Sequence, residues 1–169
     1  MNGAEFVQSA FRELRRAYET DMEGLTKEQL AWNPSEEANA IGAIYWHCMR
    51  VIDGQIHRMT GTQNIFERDN WKERVNLDNA AAGALLSDDT KNVTKHLSSE
   101  DTYEYGKQVW DELTEYVSGL TDDELDRPVD PDNPRRTVGA SLRSFSLGHG
   151  WWHLGEIKYI KGLQGIGTY

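Results

Sequence analysis

A chain of 169 residues and 19.3 kDa can bury one core without disulfide staples and is short for two, so residues 1–169 read as a single domain. Its net charge of -10 and pI near 4.9 speak against nucleic-acid and anionic-membrane partners, whose affinity comes largely from Lys and Arg. The single cysteine, Cys48, rules out an internal disulfide and a cysteine-based zinc cluster. The first residues lack the apolar core of a signal peptide, and no apolar run is long enough to span a bilayer, so the expected location is the cytoplasm.

In chain order, Phe6, Ala10, Leu14, Ala17, Tyr18 and Met22 recur every three or four residues with charges between them, which predicts an amphipathic helix ending near Gly24. Residues 26–39 read as a connection, with a short turn at 27–31 and then Trp32-Asn33-Pro34. A second periodic run starts at Ala40, passes through Ile44, Cys48, Ile52 and Met59, and stops at Gly61. Residues 62–98 read as loop plus one short helix within 78–97, because Gly83 and Asp88-Asp89 weaken the pattern there. In an unexported protein the sequon Asn92-Val93-Thr94 carries no meaning, and His96 is expected to be solvated. Ser98-Ser99-Glu100-Asp101 is a helix start, and the helix runs through Val109, Trp110, Leu113, Val117 and Leu120. Pro128, Pro131 and Pro134 make 126–138 a long loop. A fourth helix covers 141–162, with Leu142, Phe145, His149, Trp152, His153, Ile157 and Ile160 along one stripe. Gly162, Gly165 and Gly167 precede no helix that could present amides to a phosphate. The sum is an all-α four-helix bundle with long, irregular connections.

His149 and His153 stand one turn apart on the fourth helix, roughly 6 Å along its axis, so both imidazoles can reach one point. His47 lies beside the apolar stripe of the second helix and can supply a third ligand. Three imidazoles with vacant positions suit a reactive divalent ion such as zinc, nickel or iron. Spacing alone leaves open the alternative that each is a hydrogen-bonded core histidine. No histidine has Glu three residues before it, which removes the carboxylate-bridged di-iron pattern, and Gly150 stands where a zinc protease carries its base. Cys48 points about 100° away from His47 and packs into the core instead. His57 suits the helix end as a surface or capping residue. Glu156 shares the face of the two histidines, as an acceptor for the N–H of a ligating imidazole, a fourth ligand or a catalytic base. Arg50 and Asp53 are candidates for the site mouth, with exposed helical charge as the commoner outcome. Trp46, Trp151 and Trp152 could wall a pocket or form a subunit contact.

Leu25-Thr26-Lys27-Glu28-Gln29-Leu30 leading to Trp32-Asn33-Pro34, then Asn39-Ala40-Ile41-Gly42 to Trp46-His47, then His149-Gly150-Trp151-Trp152-His153-Leu154-Gly155-Glu156-Ile157 resemble the DinB-like, or YfiT-like, superfamily. The resemblance implies an up-up-down-down bundle, often a homodimer, with a divalent metal on one histidine of the second helix and two of the fourth. Those positions match His47, His149 and His153. It also implies, for some members, transfer or isomerisation chemistry with a low-molecular-weight thiol: bacillithiol, mycothiol or glutathione. Glu156 departs from the pattern, since the family often has Gln there.

Two functions follow as expectations. One is an enzyme that activates a low-molecular-weight thiol, or water, at a three-histidine metal site against a small-molecule substrate. The other is a non-catalytic, dimeric metal-binding or stress-response module whose tryptophans form the interface.

Overall fold

The computed structural model describes residues 1–75, 94 and 96–167. Helix α1 spans Gly3–Met22 and begins with a capping box, in which the Asn2 side chain accepts from the Glu5 N–H and the Glu5 carboxylate accepts from the Asn2 N–H. Thr26 and Gln29 repeat that device at the start of α2, Lys27–Ala31, so the expected turn is a short helix. Helix α3, Ile41–Thr60, closes on Gly61 at a φ of 75°, a left-handed end that glycine reaches without steric cost. Two short helices follow, α4 (Ile65–Arg68) and α5 (Trp71–Val75). Helix α6, Ser99–Ser118, is capped by Ser98, whose hydroxyl accepts from the Asp101 N–H. Helix α7 is Asp122–Asp126 and α8 is Val138–Ser141. From α8 the chain passes through a π-helical stretch, Leu142–Gly148, into α9, His149–Leu163.

The four long helices, α1, α3, α6 and α9, form the bundle, with α1 and α3 each packed between α6 and α9. Side-chain contacts fix their directions. Gln8 meets Ser118, Arg15 meets Asp111 and Tyr103 meets the end of α1, so α1 and α6 are antiparallel. Tyr18 meets Gly150 and Asp21 meets Lys161, so α1 and α9 are parallel. Arg127, just past α6 and α7, reaches the Met59 carbonyl at the end of α3, so α3 runs with α6. Round the bundle this is two helices up and two down, while in chain order the directions go up, down, down, up.

That order explains the long segment 61–98: α3 ends at the opposite end of the bundle from the start of α6. Part of it runs back along α6, with Arg68 on Glu112, Trp71 Nε1 on Gln108 and Arg74 on Asp101. The helix expected within 78–97 and the Asn92 sequon fall outside the described residues, apart from Thr94, His96 and Leu97. In 126–138, the expected loop, Val129 N–H donates to Arg136 and Val138 N–H to Arg127, which pins it as a small hairpin. No strand forms among the described residues beyond the isolated bridge of Pro128 and Thr137. The core is aromatic at its centre, where Trp46 packs against Tyr105 at 4.6 Å and Tyr18 against Trp110 at 5.5 Å between ring centroids.

Candidate metal centre

The site forms where α3 and α9 face each other, and α1 holds α9 in place behind it. Leu14 and Tyr18 of α1 press on Gly150: a Cβ there would stand 2.7 Å from Leu14 Cδ2, and the Tyr18 hydroxyl donates to the Gly150 carbonyl at 2.8 Å. Glycine between the two histidines therefore lets α1 approach closely, and the imidazoles of His149 and His153 turn the other way, toward α3. The π stretch ahead of them widens the helix, and the His149 N–H reaches back to Ser144 O.

All three imidazoles meet at their Nε2 atoms. His47 Nε2 lies 3.2 Å from His149 Nε2, and His153 Nε2 lies 3.0 Å from it. The ligating atoms of the trio all fall within 4.8 Å of one another. Two ligands bonded to one ion at about 2.0 to 2.1 Å stand roughly 2.9 to 3.4 Å apart at bond angles near 90 to 110°, which is the spacing of the His47–His149 and His149–His153 pairs. Hydrogen bonds among the rings do not explain it equally well. His153 Nδ1 sits 2.6 Å from Glu156 Oε2, and a carboxylate only accepts, so Nδ1 carries the hydrogen and Nε2 keeps a bare lone pair. His149 Nε2 then faces two neighbours with at most one hydrogen to place between them. A shared cation satisfies all three nitrogens.

The electrostatics favour a neutral His149. Burial, then the neighbouring His153 and His47, push the His149 pKa down to about 4, so one of its ring nitrogens offers a lone pair at neutral pH. Cys48 is fully buried, with Sγ 3.8 Å from His149 Nδ1 and 3.2 Å from the Tyr18 hydroxyl. Burial pushes its thiol up to about 12, despite the opposing Tyr18 hydrogen bond and with a smaller upward push from Glu156. It stays a neutral thiol behind the His149 ring, on the side away from the converging Nε2 atoms.

A profile of the DinB superfamily matches residues 10–157, most of the chain. The chain belongs to the DinB superfamily. In structure it is similar to a conserved protein from Enterococcus faecalis, with a TM-score of 0.77 at 15% identity, over 95% of this chain and 96% of that one. Comparison with curated proteins finds no match. The DinB fold is thus established, and the three-histidine cluster is a group able to hold a metal ion within it.

Other residues singled out in the sequence land elsewhere in this DinB bundle. Arg50 and Asp53, expected at the mouth or in solvent, are drawn inward. Asp53 is 1% exposed, its carboxylate accepting from the Ile65 and Phe66 N–H groups and the Tyr105 hydroxyl. Arg50 lies 3.4 Å from Asp53 and stacks on Phe66 at 3.8 Å. The pair ties α4 to α3 and α6, a role the sequence hides because the acceptor's partners are backbone amides. Trp46 is core, not pocket wall. His57 is exposed in the last turn of α3 with Nδ1 against Thr62 O, and His96 is exposed. Phe145 and Trp152, placed on the buried stripe, face solvent: Phe145 lies in the π turn, which breaks α-helical spacing, and Trp152 stands about 100° round α9 from the buried His153. Tyr18, which packs behind the site, had no signal beyond its place on the first apolar stripe. Among the described residues no helix is long and apolar enough to cross a membrane.

Proposed function

We propose that this DinB protein is a metal-dependent enzyme that activates a low-molecular-weight thiol, or water in a hydrolytic variant, for attack on a small electrophile. The observation that carries the reading is the convergence of three Nε2 atoms on one point, with Glu156 fixing the tautomer of His153 from behind. Three protein ligands leave positions for a reactant, the pattern of a reactive centre. A divalent cation held there supplies the positive charge that stabilises a thiolate or hydroxide at neutral pH. The chain's own part is to keep the His149 ring neutral through burial and to orient the His153 ring through the Glu156 acceptor. Glu156, hydrogen-bonded to His153, is also a carboxylate that can receive the proton released as the nucleophile forms. A reducing cytoplasm supplies the free thiol such a reaction consumes.

The test is purification without a tag or added metal, elemental analysis, and single-turnover assays with several thiols and a chloronitroaryl electrophile. The reading expects about one divalent ion per chain and thiol-dependent transfer that falls at least about 100-fold in His153→Ala. Bound metal with no transfer or hydrolysis under any pairing would move the protein to the non-catalytic, metal-binding module.

A further inference from the structure

Beside the metal centre lies an open groove of about 560 Å³, between the connection ahead of α3 and the outer face of α9. Its size is within the range of small-molecule sites, roughly 300 to 1,000 Å³. On α9 it is built from Trp152, Gly155, Glu156 and Tyr159, a set that falls on one face at helical spacing; Pro34 and Ile44 stand opposite. Gly155 is the floor, and a Cβ added there meets nothing within 4 Å. The two rings rise on either side of it, Trp152 at 73% exposure and Tyr159 at 68%, so two large aromatic faces border a gap that no part of the described chain fills. Burying rings of that size elsewhere in this protein was not a difficulty, since Trp46, Trp71 and Trp110 all lie in the core.

Charge decides what belongs between them. Among the described residues the lining holds one carboxylate, Glu156, and no lysine or arginine. The neighbouring lysines of α9 are committed elsewhere: Lys158 and Lys161 both bind Asp21, at 2.7 and 3.1 Å. An anion entering the groove would meet a carboxylate that no described lining cation neutralises, inside a chain of net charge -10. A cation would meet that carboxylate and the negative faces of two rings together. Glu156 Oε2 is occupied by His153 Nδ1, so the groove ends one side chain from the metal-binding nitrogens.

We infer that this groove binds a small organic ammonium ion carrying a flat apolar body, and delivers it to the metal centre at Glu156. The inference names the class of the second reactant and to that extent rests on the function proposed above. Binding, however, needs no turnover, so the two can fail separately.

The experiment is calorimetric titration of the full chain, wild type and His149→Ala, with benzyltrimethylammonium, benzyl alcohol and benzoate. The cation is expected to bind at least about tenfold tighter than the alcohol, with benzoate undetected, in both proteins. Trp152→Leu and Tyr159→Leu should each weaken the cation roughly two- to fivefold, the worth of an exposed cation–π contact, with unchanged melting temperature. Benzoate binding as tightly as the cation, or no binding of any probe, overturns the proposal. Sedimentation velocity at the same concentrations decides the remaining occupant: a dimer that Trp152→Glu converts to monomer, with no cation bound in either form, assigns the face to a second copy of the chain and also overturns it. Cation binding retained in His149→Ala while no turnover is found in wild type leaves the groove standing and removes the catalytic reading.

Discussion

Glu156 Oε2 stands 2.6 Å from Nδ1 of His153, one turn along the same helix, and this contact determines which nitrogen of His153 faces the other two imidazoles. Removing the acceptor frees the ring to rotate and to change tautomer. Glu156→Ala should therefore lower affinity for a divalent metal about 10- to 100-fold, while Glu156→Gln, which keeps one acceptor oxygen, should lose less. Competition with a chromogenic chelator measures both. Equal affinity in wild type and Glu156→Ala would show that packing alone orients His153.

Metal removal gives the second expectation. A ligand that binds only the folded chain at a free concentration of 100 times its Kd adds about 2.7 kcal/mol to stability. For a domain of this size that corresponds to roughly 5 to 11 °C in Tm. Scanning calorimetry with zinc and then with chelator should show that shift in wild type and lose it in His47→Ala, in His149→Ala and in His153→Ala alike, because each contributes one of three converging nitrogens. A shift preserved in any one of them would remove that residue from the ligand set.

A third expectation concerns the core that carries the site. Gly106 of α6 faces Tyr45 of α3 so closely that a Cβ would land on the Tyr45 hydroxyl and stand 2.6 Å from ring carbon Cε1. Tyr45 is buried and its ring packs against Tyr18, so it cannot simply swing away. Gly106→Ala should cost about 1 to 3 kcal/mol by overpacking, read as a lower urea midpoint with unchanged m-value. Gly54, where a Cβ meets nothing within 4 Å, should accept alanine without loss and serves as the control.

What the sequence disclosed, and what it hid, follows from the range of the interactions involved. The helix start at Ser98 and the stop at Gly61 were legible because caps act within three or four residues, whereas the Thr26–Gln29 capping box, equally local, opens a helix of only five residues that reads as a turn. The positions of His149 and His153 were legible because one helical turn fixes them, and His47 because its apolar neighbours fix its face. The π stretch was not, since Leu142–Gly148 reads as ordinary helix, and the broken spacing that leaves Phe145 exposed appears only in three dimensions. Asp53 was hidden for a different reason: its carboxylate is held by the amides of Ile65 and Phe66, and backbone donors leave no mark on composition. The groove at Trp152 and Tyr159 was half visible, as tryptophans near the histidines, but the absence of cations among its described lining residues depends on Lys158 and Lys161 turning to Asp21.

That last contact sets the pH dependence. Asp21 is buried at the end of α1, and Lys161, itself buried, donates to its carboxylate at 3.1 Å and to its carbonyl at 2.7 Å. Burial alone would raise the Asp21 pKa, but the hydrogen bonds from Lys158 and Lys161, with their charges, outweigh it and hold the pKa below the ordinary 3.8. A carboxyl with a depressed folded pKa binds fewer protons folded than unfolded. Its contribution is fully present above the unfolded value and is lost as pH falls through 3.8 toward the folded one. Urea unfolding from pH 6 down to about pH 2.5 should therefore show a steeper loss in wild type than in Asp21→Asn, which lacks this titration. At pH 7, Asp21→Asn leaves the buried Lys161 ammonium without its counter-charge and should cost about 3 to 5 kcal/mol, whereas the double change Asp21→Asn with Lys161→Met should recover most of that loss. Equal pH slopes in wild type and Asp21→Asn would mean that other carboxylates, not this pair, govern the acid limb.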